Sequence, residues 1–311
     1  MARRSQDSGR RPTNEGRTPV SNALRIPAFV NPESGTAEEA RNALSAAGLF
    51  DIREVHPRDL EKAITSSVRA GSTRIVVAGG DGTVRTAAGA VAEAGVELGV
   101  IPGGTLNHFA RDQGIPSDLE EAARIAGGDT VTEVDAGYVG DEIFVNTSSI
   151  GAYVSFKRVR ERLEPRLGYR LASLIASIRT FFYLRNLYLE LDIDGKKQIY
   201  RTPMVFIGVG ERELAMPTLG NRAKVGKRGL HVMIVRGRFK ARLLALAWEA
   251  MRKGTDSAAR TPELDSFIVD SCTIRVRRPT VTVALDGETL LLDSPLEYRL
   301  ERDILRIVRG T

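Results

Sequence analysis

Apolar residues follow two periods along the first half of the chain. Continuous runs at 27–30, 74–78 and 98–101 read as buried strands, and stretches at 37–47, 57–70, 84–94 and 106–113 repeat apolar positions every three to four residues and read as helices. This alternation predicts an open α/β domain with a largely parallel sheet. After about Val134 the pattern shortens. Candidate strands at 143–147, 188–193, 203–209, 230–235, 266–269, 273–276, 280–285 and 298–300 are separated by turn residues such as Asp194-Gly195 and Asp286-Gly287, with helical periodicity left only near 155–180 and 240–253. The expected fold class is an α/β N-terminal domain with an open parallel sheet, over 26–134, followed by a mainly β, sandwich-like C-terminal domain over 135–311. The last residues are free to return to the first domain.

Composition supports two cores of ordinary size: the 311 residues are 42% hydrophobic and 27% charged. Residues 1–25 carry six arginines against Asp7 and Glu15, have no apolar periodicity, and are expected to be a disordered basic tail. Basic residues also gather at 157–170 and at 222–242, so the formal charge of +6 belongs to three segments on an otherwise acidic body. Such segments beside apolar sequence suit transient contact with an anionic membrane surface. They lack the interleaved aromatics of a nucleic-acid platform, which argues against that partner. The apolar stretch 171–191 is interrupted by Arg179 and Arg185, which excludes it as a membrane span. A cytoplasmic, peripherally membrane-associated protein is expected; a homodimer stays open. Cys272 is the single cysteine, so no intrachain disulfide forms.

The candidate chemistry lies at turns. Gly79-Gly80-Asp81-Gly82-Thr83 leaves a buried strand and enters the helix that begins with Val84 and Arg85. Glycines there let backbone amides approach phosphate oxygens, and the helix adds free N–H groups and the positive end of its dipole. A carboxylate at Asp81 suits a metal ion or the hydroxyl being phosphorylated. A second turn, Pro102-Gly103-Gly104-Thr105, repeats the arrangement before a helix containing Asn107, and two such turns on adjacent parallel strands would face one crevice. Neither turn fits the Gly-Lys-[Ser/Thr] phosphate loop or the three-glycine dinucleotide fingerprint. Asn31-Pro32-Glu33-Ser34-Gly35 leaves the first strand, and Asp286-Gly287-Glu288 places two carboxylates around a late turn.

Taken together, Asn31-Pro32-x-Ser34-Gly35, the Gly-Gly-Asp-Gly-Thr turn, the run from Gly99 to Ala110 with Gly114-Ile115-Pro116, and Asp286-Gly287-Glu288 resemble the diacylglycerol-kinase catalytic family. The resemblance implies a nucleotide-binding α/β domain, an ATP-dependent lipid kinase activity and a cleft between two domains. It implies nucleotide contacts from Asn31, Pro32, Ser34, Gly35, Gly79, Gly80, Gly82, Thr83, Val84, Arg85, Gly104, Thr105 and Asn107. By the same resemblance, Asp81 organises ATP-bound Mg²⁺, Asp286 lies near the phosphates, and Glu288 is the general base on a lipid hydroxyl. His108 stands where many bacterial relatives carry Asp. Where an acidic segment linked to a structural magnesium is usual, this chain has Gly226-Lys227-Arg228-Gly229-Leu230-His231, and Lys and Arg are no ligands for that cation, so an accessory metal site is not expected here. NAD kinases and phosphofructokinases share the Gly-Gly-Asp-Gly turn, which leaves a small-molecule kinase, or a nucleotide- or lipid-binding protein without turnover, as alternatives.

Overall fold

The computed structural model describes residues 25–151, 186–213, 222–223, 226–236 and 264–310, with six single residues between 154 and 175. The expected tail up to residue 24, the helical stretch near 240–253, and most of the helical stretch near 155–180 and of the basic segment 157–170 lie outside the described residues. So does the apolar stretch 171–191 before residue 186, apart from Ile175. Among the described residues no helix is long and apolar enough to cross a membrane.

The first half runs β1 (Ile26–Val30), α1 (Ala37–Ala47), β2 (Phe50–Glu54), α2 (Pro57–Arg69), β3 (Arg74–Gly79), α3 (Asp81–Val91), β4 (Glu97–Pro102), α4 (His108–Asp112) and α5 (Leu119–Ala126). β2, β1, β3 and β4 pair in that order, all parallel. Their runs of apolar residues follow from burial on both faces, since parallel sheets are covered by the crossover helices. Phe29, Ile75, Val77, Leu98 and Ile101 are fully enclosed with Leu44 and Ile64 from the helices.

The second half is nearly all strand: β5 (Val131–Val139), β6 (Glu142–Phe144), β7 (Thr147–Gly151), β8 (Leu187–Ile193), β9 (Lys196–Thr202), β10 (Met204–Val209), β11 (Leu230–Val235), β12 (Leu264–Val269), β13 (Ser271–Val276), β14 (Thr280–Leu285), β15 (Glu288–Asp293) and β16 (Leu296–Val308). Six of them form an antiparallel sheet ordered β12-β11-β10-β7-β14-β15. The others extend the first sheet to ten strands, ordered β2-β1-β3-β4-β16-β13-β8-β9, with β5 and β6 attached through β16. A second core of Ile150, Val205, Ile207, Ile234, Ile274, Leu285 and Tyr298 joins strands of both sheets. Inside it the Tyr298 hydroxyl on β16 meets Ser148 Oγ on β7 at 3.0 Å, so a buried polar pair also links them.

The elements absent from the sequence reading are β2, β5, β9, β15 and α5. β2 and β9 are the two ends of the long strand order, and β15 ends the short one. An edge strand has one neighbour and an exposed face, so it is selected for charge rather than for an apolar run, as Lys196-Lys197-Gln198 in β9 illustrates. The expected strand 143–147 is two strands. It breaks at Val145-Asn146, whose amides turn to a side chain instead of a neighbouring strand.

β16 joins the two halves. Its first residues pair antiparallel with β13 and its last pair parallel with β4, Arg306 opposite Glu97 and Ile307 opposite Leu98. Against β5 the register breaks between Glu301 and Leu305, where Asp303 takes a positive φ of 56°. Arg228 pins this break: its guanidinium bonds Asp135 of β5 through two nitrogens, one of them Nε at 2.9 Å, and Asp303 at 2.7 Å. Asp135 also accepts the Asp303 amide at 3.1 Å. Arg236 likewise pairs with Asp265 at 2.6 Å, so two described cations of the basic segment 222–242 are spent inside the protein.

Asp135 is almost fully buried. Burial opposes its charge, but the Arg228 hydrogen bonds and the Asp303 amide outweigh it and hold the carboxyl below its ordinary range. Because the folded-state value lies below the unfolded one, this contribution is complete above about pH 4 and is lost as pH falls through the folded value. Replacing Arg228 with Ala is expected to cost about 1–3 kcal/mol at pH 7, discounted because Arg228 is half exposed. Urea unfolding across pH 3–7 checks this: the gap to the native protein should narrow as the solution is acidified.

Candidate functional site

β3 and β4 are adjacent and parallel, Ala78 opposite Ile101 and Gly79 opposite Pro102, so their turns emerge side by side. The helix after β3 begins three residues earlier than the apolar pattern indicates. Gly80 alone separates strand from helix, and Asp81, Gly82 and Thr83 form the first turn of α3. The two turns touch through backbone. The Gly103 amide donates to Gly79 O at 2.8 Å, and a Cβ on Gly104 would sit 2.6 Å from Gly80 Cα. No side chain fits between them, which is what glycine at these positions supplies.

The first turn is drawn to the same place. Ser34 Oγ donates to Gly103 O at 2.5 Å, with Thr36 Oγ1 donating to the same oxygen at 3.3 Å. Asn31 accepts the Glu33 amide through Oδ1 at 2.9 Å, shaping the turn that carries Pro32 and Gly35. Asn107, in the left-handed region at φ 47°, spends its carboxamide on both sides of the Gly104 peptide, accepting from its N at 2.8 Å and donating to its O at 2.7 Å. Thr105 is exposed beside it, on the open side of the turn. The Val84 side chain is 2% exposed and packs in the first core.

Asp81 connects the two turns. Its carboxylate accepts the amides of His108 at 3.2 Å and Phe109 at 3.0 Å, the first two residues of α4. A carboxylate at a helix N-terminus satisfies amides that have no partner in the helix and faces the positive end of its dipole. Behind it, His108 Nδ1 lies 3.0 Å from Arg111 Nη2. Burial lowers the His108 pKa despite the neighbouring Asp81, so its ring is neutral at pH 7.

The late acidic turn reaches this place from 200 residues away in sequence. Asp286 and Gly287 form the turn between β14 and β15, both at positive φ, and the two carboxylates have different surroundings. Asp286 faces inward, accepting the amides of Val145 at 2.7 Å and of Asn146 and Thr147 at 2.8 Å. Burial pushes it up to about 6 against those three donors, and the nearby Asp81 charge adds to the rise. It therefore anchors the β6–β7 connection. Glu288 faces outward and lies against Gly82, where a Cβ would strike its carboxylate. Its Oε2 accepts from Arg85 Nη2 at 2.8 Å, and Arg85 Nη1 bonds Glu142 Oε2 at 3.2 Å.

Three contributors carried no signal in the sequence. Glu142 opens β6 as an ordinary strand charge. Asp112 and Arg212 form a buried ion pair at 2.6 Å, 6% and 2% exposed, and Arg212 also donates to the carbonyls of Asn146 at 3.0 Å and Val209 at 2.8 Å. α4 is thus tied at its start to Asp81 and at its end to the β-rich half. The residue separations involved, 100 for Asp112–Arg212 and 203 for Arg85–Glu288, put them out of reach of local pattern.

Residues 25–139 match the family model described as the diacylglycerol kinase catalytic domain. A protein of Pseudomonas syringae pv. syringae (strain B728a) described as "Probable lipid kinase YegS-like" is 32% identical over 156 residues, 49% of this chain and 50% of the relative. The chain thus spans about half the length of that relative. A protein of Klebsiella pneumoniae (strain 342) with the same description is 28% identical over 289 residues, covering 85% of this chain and 91% of the relative. The crystal structure of a diacylglycerol kinase from Bacillus anthracis str. Sterne superposes with a TM-score of 0.69 at 22% identity, over 92% of this chain and 97% of that one, and so shares the fold. The paired glycine turns and the Asp81 connection lie inside the segment, residues 25–139, that is similar to the diacylglycerol kinase catalytic domain.

Proposed function

We propose that the protein is an ATP-dependent lipid kinase that transfers the γ-phosphate to the hydroxyl of a diacylglycerol-like lipid. The observation that carries this reading is the position of Glu288: a half-exposed carboxylate from the β-rich half, held over Gly82 in the glycine turn of the α/β half. A phosphate cradle alone binds. A carboxylate poised beside it can also accept the proton of an attacking hydroxyl, as phosphoryl transfer to an alcohol requires.

In this reading the amides at the start of α3 and around Gly103-Gly104 receive the phosphates, and the absence of side chains at Gly80 and Gly104 leaves the cradle open. Magnesium, when bound with ATP, would neutralise phosphate charge. Asp81 is the residue fitted to hold it, since each of its oxygens retains a lone pair beyond the amide it accepts. Among the described residues no group of three His, Cys, Asp or Glu could hold a metal ion, so phosphate oxygens and water would supply the other ligands. Glu288 takes the acceptor proton, and Asp286 keeps the turn that carries it in place. Approach to an anionic membrane surface, where the lipid resides, belongs to the same reading.

Two substitutions test the assignment. Glu288→Gln is expected to lower kcat by about 10²–10⁴-fold with the KM for ATP changed little; an unchanged rate with micellar diacylglycerol would remove the general-base role. Gly104→Ala, which forces the two turns apart, should raise the KM for ATP by about tenfold or more. Assaying a panel of diacylglycerol, monoacylated lipid, long-chain base, isoprenoid alcohol and NAD with labelled ATP identifies the acceptor; NAD turnover without lipid turnover would overturn the lipid reading.

A further inference from the structure

Arg85 is enclosed, 11% exposed, and its guanidinium divides between two carboxylates that are each about half exposed. Burial opposes its charge, but hydrogen bonding and attraction to Glu288 and Glu142 raise its pKa overall, so it stays a fixed cation. Its Nε is buried without a hydrogen-bond partner. A guanidinium so enclosed resists losing a counter-charge, because an unpaired buried ion is strongly disfavoured.

This creates a problem for Glu288. Its Oε2 already accepts an Arg85 N–H, and an oxygen so engaged is not presented to an incoming hydroxyl. Taking a proton from an alcohol requires Glu288 to turn away from Arg85, and Arg85 then needs another anion. Glu142 is already in place. It opens β6, which is paired to β5 through Val139 opposite Glu142, and the next residue, Ile143, packs on α3 where a Cβ on Gly89, one turn after Arg85, would lie 3.2 Å from it. The backbone bearing Glu142 is therefore fixed against the helix bearing Arg85.

We propose that Glu142 is a positioning residue for phosphoryl transfer: it retains Arg85 while Glu288 releases the guanidinium to receive the proton of the acceptor hydroxyl. The proposal rests on the reading of Glu288 as the general base. In the step, the hydroxyl proton passes to the Glu288 carboxylate, the acceptor oxygen bonds to the γ-phosphorus, and the bond from that phosphorus to the β–γ bridging oxygen breaks to leave ADP. Glu288 is bonded to Arg85 on α3, which is also bonded to Glu142 on β6, and Asp286 in the same turn as Glu288 lies near Asp81.

The test compares Glu142→Gln, Glu142→Asp and Glu288→Gln in the full chain with ATP, Mg²⁺ and micellar diacylglycerol. Glu142→Gln should lower kcat by about tenfold with both KM values within about twofold of the native ones. Glu142→Asp should recover most of the rate. Native kcat in Glu142→Gln would overturn the proposal, as would a loss that Glu142→Asp fails to rescue or one that raises the KM values instead of lowering kcat. If Glu288→Gln is as fast as the native protein, the general-base reading fails and this one with it; if it is slow while Glu142→Gln is normal, only the role of Glu142 fails.

Discussion

The site depends on one steric constraint: two parallel strands deliver their turns so close together that backbone must pack on backbone. Gly80 and Gly104 meet where a Cβ on the second would lie 2.6 Å from the first, and the Gly103 amide closes the contact on Gly79 O. Several polar groups around this contact hold it. Ser34 bonds the Gly103 carbonyl, Asn107 brackets the Gly104 peptide, and Asp81 reaches across to the first amides of α4. Side chains that a motif reading assigns to a ligand are thus largely occupied in shaping the backbone. The amides so arranged are what remains to meet an anion.

Asp81 and Asp286 illustrate a shared logic. Each is a carboxylate near a turn, and each collects backbone amides from a segment distant in sequence, 27 and 28 residues away for Asp81 and 139 to 141 for Asp286. A carboxylate is suited to this because it accepts several N–H groups and cannot be satisfied by one. The difference lies in burial. Asp286 is closed off and titrates high, whereas Glu288, two residues on, is half exposed and paired with Arg85. One hairpin turn therefore carries an anchor and a reactive group, separated by which side of the turn each residue faces.

Much of this was legible in sequence, because parallel strands buried on both faces must be apolar and the turns beyond them must be glycine. The helix α1 and the strands β11 and β14 begin and end where their periodicity does. Edge strands were not legible, since Lys196 and Lys197 in β9 answer to solvent rather than to a core. The single strand expected at 143–147 failed for another reason: Asp286, 140 residues later, takes the amides that would have continued it. The roles of Glu142, Asp112 and Arg212 arise from pairing across the two halves, and a charged residue at a strand start or a helix end looks the same with or without such a partner. Arg228 was legible as chemistry, being no magnesium ligand, but not as the counter-charge of Asp135 and Asp303.

The topology of β16 also bears on how the nascent chain acquires its shape. β4 gains its second strand neighbour only from Arg306 and Ile307, about two hundred residues after β4 itself has been made. Until then one rim of the α/β half presents unpaired peptide groups, a template on which another chain can stack. Contacts of such wide sequence separation also form slowly, because a long loop must close before any is gained. Until those residues are made, the sheet beneath the glycine turns lacks the strand that closes it along one side.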